Sequence, residues 1–270
     1  MMSADTLFKG RIVVAIPHSD DEILGCGEAL AQIVDKRRVR FVYAADGALS
    51  PVPTGRVRRP NPSLTTRRRE EAARALGSLG YPDDSLVFLD IPDGMLQQHQ
   101  SRLDAAIGDV CREFEATTLL APFRFDWHPD HLAVHRAAAA AAAGGTKAPR
   151  LFEYFVYFRY RMLPRGDLRA CVRREHLLSI HAPESAAAKR QALDHYATQR
   201  ELIFPWQTRP VLVGSLLDDL VAKPEYYFDS RAAASRPVFT IPQSGIRVIQ
   251  AVEPALKAVK DRLTQYRVNA

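Results

Sequence analysis

The chain has 270 residues, 47% of them hydrophobic, enough for one large domain or two small ones with a proper core. No apolar run approaches the ~20 residues a membrane helix needs, and residues 1–10 lack the charged-then-apolar layout of a secretory signal. Lysine and arginine total 37 against 31 acids, a net charge of +6, yet no DNA- or RNA-binding signature accompanies the excess, so nucleic acid is set aside as a partner.

Arg11 to Ile16 reads as a buried strand, because Ile12-Val13-Val14-Ala15-Ile16 is apolar throughout and rich in β-branched residues. Pro17, His18, Ser19 and three consecutive acids, Asp20, Asp21 and Glu22, follow, and a helical spacing runs from Glu22 to Lys36. The turn between them lies at the carboxyl end of a strand, where α/β sheets bind ligands. Ser19 and Glu22 also fit a capping box, and acids suit the positive end of a helix, so the turn alone is open to a purely structural reading. Val39 to Ala45 is the second strand and stops at the turn signal Asp46-Gly47. Residues 48–63 hold prolines at 51, 53, 60 and 62 together with Arg56, Arg58 and Arg59. No regular element is expected there; the stretch is either a lid over the site or a solvated loop. Thr65 to Leu79 is a helix opened by Arg67, Arg68 and Arg69. Three cations in a first turn oppose the helix dipole and point to an acidic partner, while Arg67 and Glu71 pair across one turn.

Ser85 to Asp90 is the third strand, closed by Ile91-Pro92-Asp93-Gly94, and a helix spans Leu96 to Phe114. Thr117 to Ala121 is the fourth strand. Arg124, Asp126 and Trp127 lead from it into His128-Pro129-Asp130-His131, and a helix continues through the alanine tract 137–143 to Gly144-Gly145. Leu151 to Phe158 is an aromatic-rich fifth strand, Val172 to His181 a further strand, Glu184 to Gln199 a helix, and a final helix lies near Val252 to Tyr266. The alternation through residue 158 predicts an α/β fold, a Rossmann-like three-layer sandwich with a mostly parallel sheet of order 3-2-1-4-5. In that order strands one and four are neighbours, so the two polar boxes meet in the crevice where the order reverses. Zinc is typically held by three His or Asp/Glu ligands with water in an open position, a set the two boxes can supply together. Residues 1–200 are read as the core. Residues 201–270 are read as a C-terminal extension packed on the same domain, completing the pocket or making a contact in a homo-oligomer.

The box His18-Ser19-Asp20-Asp21-Glu22 after the first strand and the box His128-Pro129-Asp130-His131 after the fourth resemble those of the LmbE-like, or PIG-L, family of zinc-dependent N-acetylglucosaminyl deacetylases. The first box departs from the family's His-Pro-Asp-Asp-Glu at Ser19, which alters the turn without removing a ligand atom. The resemblance covers roughly residues 10–200. It implies one Zn2+ per chain bound by His18, Asp21 and His131, with Asp20 as general base toward a zinc-bound water. It implies His128 as the group stabilising the oxyanion, as a cation whose pKa is raised by Asp130, and Asp130 as the carboxylate orienting a histidine. By the same resemblance Arg68 reaches the substrate, Asp46 lines the pocket and Asp93 hydrogen-bonds sugar hydroxyls; for Asp46 and Asp93 a role confined to shaping the turn stands equally open. Lys189, His195 and Gln199 match the family's closing pattern and read as structural. His135 shares the helix face of His131 but matches no ligand position.

The implied activity is hydrolytic removal of an acetyl group from an N-acetylated sugar or glycoconjugate, with the basic stretch 56–69 hinting at an anionic substrate. The alternatives are an amidase acting on another amide, such as a thiol–sugar conjugate, and a non-catalytic sugar-binding member. A nucleotide-binding Rossmann-like reading lacks the glycine-rich fingerprint after strand one. Three widely spaced cysteines, Cys26, Cys111 and Cys171, none in a CxxC pair, argue for a reducing compartment, with the cytoplasm as default.

Overall fold

Apolar, β-branched and aromatic runs form β1 (Ile12–Ile16), β2 (Val39–Ala45), β3 (Leu86–Ile91), β4 (Thr118–Pro122) and β5 (Arg150–Tyr154) in the computed structural model. It describes residues 2–49, 60–158, 168–207, 209–231, 238–241, 243–248 and 251–252. Between and after these strands lie α1 (Ala4–Leu7), α2 (Asp21–Gln32), α3 (Pro62–Ser78), α4 (Gln100–Glu113), α5 (Pro129–Ala142), α6 (Pro183–Leu193), α7 (Ala197–Arg200) and α8 (Gly214–Ala222), with β6 (Leu177–Ile180) and β7 (Glu225–Asp229). Among the described residues seven strands make one sheet of order β3-β2-β1-β4-β5-β7-β6. The first five are parallel in the predicted order 3-2-1-4-5. β7 and β6 extend the sheet antiparallel, β7 pairing with both β5 and β6.

The period-two alternation of the strands divides the core. Ile12, Val14 and Ile16 of β1 and Phe41 and Tyr43 of β2 face one layer, with α2, α3, α6 and α8 contributing Ile23, Ala72, Leu193 and Leu217. Val13, Ala15 and Leu119 face the other, against Leu103 and Ile107 of α4 and Ala133, Val134, Ala137 and Ala138 of α5. The alanine tract serves packing in part: Ala137 and Ala138 are buried in this layer, whereas Ala140 and Ala143 are exposed. Ile12 pairs with Thr118 and Val14 with Leu120, so β1 and β4 run side by side and their carboxyl ends emerge together. No helix among the described residues is long and apolar enough to cross a membrane.

Several expected boundaries move, each for a local reason. α3 starts at Pro62, with Asn61 as N-cap accepting from Ser63 N–H. Arg67, Arg68 and Arg69 thus fall in the second turn, and the argument from an unfavourable helix end does not apply to them. β5 ends at Tyr154; Phe155 and Phe158 turn away into an aromatic cluster with Phe123, Phe125 and Phe228. The strand expected over Val172 to His181 is interrupted by a 3-10 turn at Arg174–His176. The helix expected over Glu184 to Gln199 breaks after Leu193 and resumes at Ala197. Arg56, Arg58 and Arg59 of the proline-rich stretch and most of the expected C-terminal helix lie outside the described residues.

Gly25 lets α2 approach the sheet. A Cβ there would stand 2.4 Å from Cδ2 of the buried Tyr154, whose hydroxyl donates to Ala15 O at 2.9 Å. Gly25→Ala gains about 1 kcal/mol of helix propensity, but overpacking of this severity costs about 1–3 kcal/mol and wins. Denaturant unfolding should therefore find the variant less stable; stability equal to wild type would contradict this packing.

Candidate active site

The adjacent ends of β1 and β4 deliver both polar boxes to one place. Pro17 still pairs with β2, its carbonyl accepting from Ala45 N–H at 3.0 Å; the chain then turns, with Asp21 N–H donating to His18 O at 3.2 Å. Asp20 adopts φ 125°, a region that L-residues rarely occupy. It is the N-cap of α2, yet its side chain makes no capping bond. Its backbone N–H instead donates to Glu22 Oε2 at 3.1 Å. The capping box expected from Ser19 is thus replaced by one in which Glu22 reaches back, and the Asp20 carboxylate is left for other use.

Asp21 Oδ2 is the focus of the cluster. It accepts from His18 N–H at 3.1 Å and lies 3.3 Å from His18 Nδ1 and 3.1 Å from His131 Nε2. His131 Nδ1 bonds Asp126 Oδ2 at 2.7 Å, which directs the other ring nitrogen toward Asp21. That nitrogen is buried and has no hydrogen-bond partner; at 3.1 Å from a carboxylate oxygen it lacks the alignment of a hydrogen bond. His18 repeats the pattern: its Nε2 faces Asp130 Oδ2 at 3.1 Å and Asp93 Oδ1 at 3.4 Å, leaving Nδ1 toward Asp21. Ring nitrogens of His18, His128 and His131 all lie within 4.8 Å of one another. Two imidazole nitrogens with carboxylate-fixed tautomers converging on a third carboxylate form a donor set that suits a divalent metal ion.

The charges agree with that geometry. Burial would lower His131, but the carboxylates of Asp21 and Asp126 outweigh it and raise its pKa to about 9. His18 is likewise raised against its burial by Asp130, Asp21 and Asp93. Burial alone would raise Asp21; the facing histidines hold it well below the usual carboxylate range. Asp20 moves the other way: burial and the charge of Asp21 raise it, against the pull of Arg68.

His128 differs from its expectation. Burial and the positive charges of His18 and His131 push its pKa down to about 3, and the attraction of Asp130 is too weak to reverse this. Asp130 lies 4.0 Å from His128 Nδ1 and spends its oxygens on His18 and on the N–H groups of Gly94 and Leu96. His128 Nδ1 accepts from Asp130 N–H at 3.2 Å, so the neutral ring carries its proton on Nε2 and can donate from there.

Arg68 is 2% exposed and reaches the turn: Nη2 donates to Ser19 O at 2.5 Å and stands 3.9 Å from Asp20 Oδ1. Its Nε and Nη1 are buried without a hydrogen-bond partner. Gly47, at φ 69°, makes room for it, since a Cβ there would come within 3.0 Å of Arg68 Cδ. Asp46 Oδ1 accepts from Ala48 N–H and Asp93 N–H, which is the turn-shaping alternative for that residue. Asp93 is turned to His18 and to Leu49 N–H. His135 points to Pro122 O at 3.0 Å, away from the cluster. Three partners escaped the sequence reading: Asp126 behind His131, Tyr157 stacked on His128 with centroids 5.7 Å apart, and Tyr196 donating to Glu22. Only Asp126, a carboxylate just ahead of the second box, carried a readable signal.

Residues 13–142 match the family model described as PIG-L, GlcNAc-PI de-N-acetylase. The chain carries a PIG-L domain. A 2'-N-acetylparomamine deacetylase of Streptomyces fradiae is 26% identical over 167 residues, 57% of this chain. That match spans 60% of the relative's own length. Among solved structures, a triple mutant of a deacetylase from the teicoplanin biosynthetic pathway superposes with TM-score 0.59 at 20% identity, covering 81% of this chain and 97% of that one. The zinc-inhibited form of teicoplanin deacetylase gives TM-score 0.54 at 19% identity, covering 70% and 85%. These two likenesses show the fold. His18, Asp20, Asp21, Asp126, His128, Asp130 and His131 all lie within the PIG-L domain, whereas Tyr157 and Tyr196 lie beyond its matched residues.

A metal ion must displace the proton that His131 holds below about pH 9. Metal affinity should therefore rise by about tenfold per pH unit for each proton displaced as pH climbs from 6.5 toward 9. Competition with a chelator of known affinity measures this; a pH-independent affinity across that window would contradict the arrangement.

Proposed function

We propose that the chain is a zinc-dependent hydrolase that removes the acetyl group from the nitrogen of an N-acetylated sugar or glycoconjugate. The observation that carries this reading is the Asp20 carboxylate, spared from capping α2 and 3.9 Å from Arg68, beside the buried side chains of His18, Asp21 and His131. The name of the Streptomyces fradiae relative, which specifies an N-acetylated paromamine, supports the choice of substrate class.

His18, Asp21 and His131 would hold the ion. Zinc bound there supplies Lewis acidity, lowering the pKa of a water toward roughly 7 and polarising the amide carbonyl. Asp20 takes the proton of the attacking water, for which a carboxyl raised by burial and by Asp21 is suited, and delivers it to the leaving nitrogen. Neutral His128 donates from Nε2 to the tetrahedral oxyanion, with Tyr157 stacked on its ring. Asp126 fixes His131; Asp130 and Asp93 fix His18. Arg68 offers its two unpaired donors to an oxygen-rich or anionic group of the substrate. The products are acetate and a free amine. We place the protein in the cytoplasm on the strength of its three free, buried cysteines.

Metal-loaded protein should release acetate from a panel of N-acetylglucosamine derivatives. Asp20→Asn should keep its metal and lose about 10²–10⁴ in kcat, whereas His131→Ala should lose metal and activity together. Full activity in the first variant, or full metal in the second, would remove the assigned roles. Arg68→Gln should raise KM by about 10- to 100-fold, the worth of a charged hydrogen bond, with metal content unchanged. An unaltered KM would take Arg68 out of the substrate site.

A further inference from the structure

The strain at Asp20 needs an explanation that the metal ligands do not give. A non-glycine residue at φ 125° costs about 1–3 kcal/mol and persists only where its surroundings fix it. The Asp20 carbonyl accepts from Ile23 N–H at 3.1 Å and Leu24 N–H at 2.9 Å, as the start of α2 requires. Its N–H is taken by Glu22 Oε2, and the other oxygen of Glu22 accepts from the Tyr196 hydroxyl. Glu22 and Tyr196 are both fully buried.

Tyr196 sits in the break between α6 and α7, where the sequence predicts an unbroken helix. Two residues on, Thr198 donates its N–H at 2.9 Å and its hydroxyl at 2.6 Å to Glu71. Glu71 lies on α3, one turn from Arg68, and is also fully buried. The break and the start of α7 therefore grip two buried carboxylates. One belongs to the helix that begins at Asp20, the other to the helix that carries Arg68.

We infer that Glu22 and Tyr196 are a positioning pair: Tyr196, from outside the matched PIG-L residues, holds Glu22 so that Glu22 keeps Asp20 in its strained conformation with the carboxylate free. This rests on the reading of Asp20 as general base. An ordinary N-cap aspartate would spend its side chain on the helix end. Here Glu22 satisfies the turn in its place, so the base is not consumed as a cap. The break after Leu193 acquires a purpose, since it brings Tyr196 to the catalytic turn and Thr198 to Glu71.

The test uses metal-loaded protein with Tyr196→Phe, Glu22→Gln and the double variant. Displacing a catalytic group by an ångström costs up to about 10²-fold, so each single variant should lose about tenfold or more in kcat, with KM and metal content at wild-type values. The double variant should be no slower than about the worse single one, because the pair acts as one unit. Amide hydrogen exchange in residues 17–24 should quicken in Tyr196→Phe, which keeps the ring and removes only the hydroxyl. A kcat within about twofold of wild type in both single variants, or a decline that tracks metal loss or appears only in KM, would overturn the pair. If the wild type itself releases no acetate, the proposed function fails, and amide exchange alone decides: unchanged protection in Tyr196→Phe then overturns the inference.

Discussion

One buried carboxylate oxygen, Asp21 Oδ2, organises the carboxyl end of the parallel strands in this sheet. Two imidazole nitrogens and a backbone N–H converge on it, and both rings are aimed by carboxylates behind them. Placing two histidines and several acids out of water is expensive unless each charge has a partner. The cluster meets that condition almost throughout: Asp126 serves His131, Asp130 and Asp93 serve His18, and the N–H groups of Gly94 and Leu96 serve Asp130. Exceptions are His131 Nε2 and the Nε and Nη1 of Arg68, buried atoms without a hydrogen-bond partner that the proposed function assigns to metal and substrate.

The rest of the chain holds that end of the sheet in place. β7 and α6 anchor α2 through a buried ion pair, Lys189 Nζ to Glu225 Oε1 at 2.7 Å. Lys189 also donates to Leu24 O, and Glu225 accepts from the N–H groups of Glu28 and Ala29. Gly27 permits this contact, because a Cβ there would meet Lys189 Cγ at 2.7 Å. A polar bond between buried elements is directional where apolar packing is not, so it fixes the register of α2 and with it the orientation of Asp20 and Asp21. Lys189 and Glu225, from the C-terminal part of the chain, thus support the site from behind α2.

What the sequence made legible follows from the range of each interaction. The five parallel strands and their order were readable because apolar runs alternate with helical spacing and the doubly wound order follows from chain connectivity. The meeting of His18, Asp20, Asp21, His128 and His131 was readable because each box is contiguous and sits at a strand end. The antiparallel pair β7–β6 was not, since its partners are set by long-range pairing across the sheet edge. The interrupted helix at Tyr196 was hidden for the same reason: the local pattern favours continuity, whereas Tyr196 and Thr198 bond the distant carboxylates of Glu22 and Glu71. The environment of His128 was not legible, because Asp130, two residues away in sequence, is turned in space toward His18.

The central claim is that this His/Asp cluster is a metal site with histidine ligands from both boxes. X-ray absorption at the zinc K edge of the loaded protein tests it directly. The account predicts one ion per chain with imidazole nitrogens at about 2.0–2.1 Å, carboxylate oxygen and no sulfur. It also predicts that His18→Ala and His131→Ala bind little zinc, and that any ion they retain shows a weaker imidazole contribution. A shell containing sulfur, or an imidazole contribution indifferent to both substitutions, would contradict it.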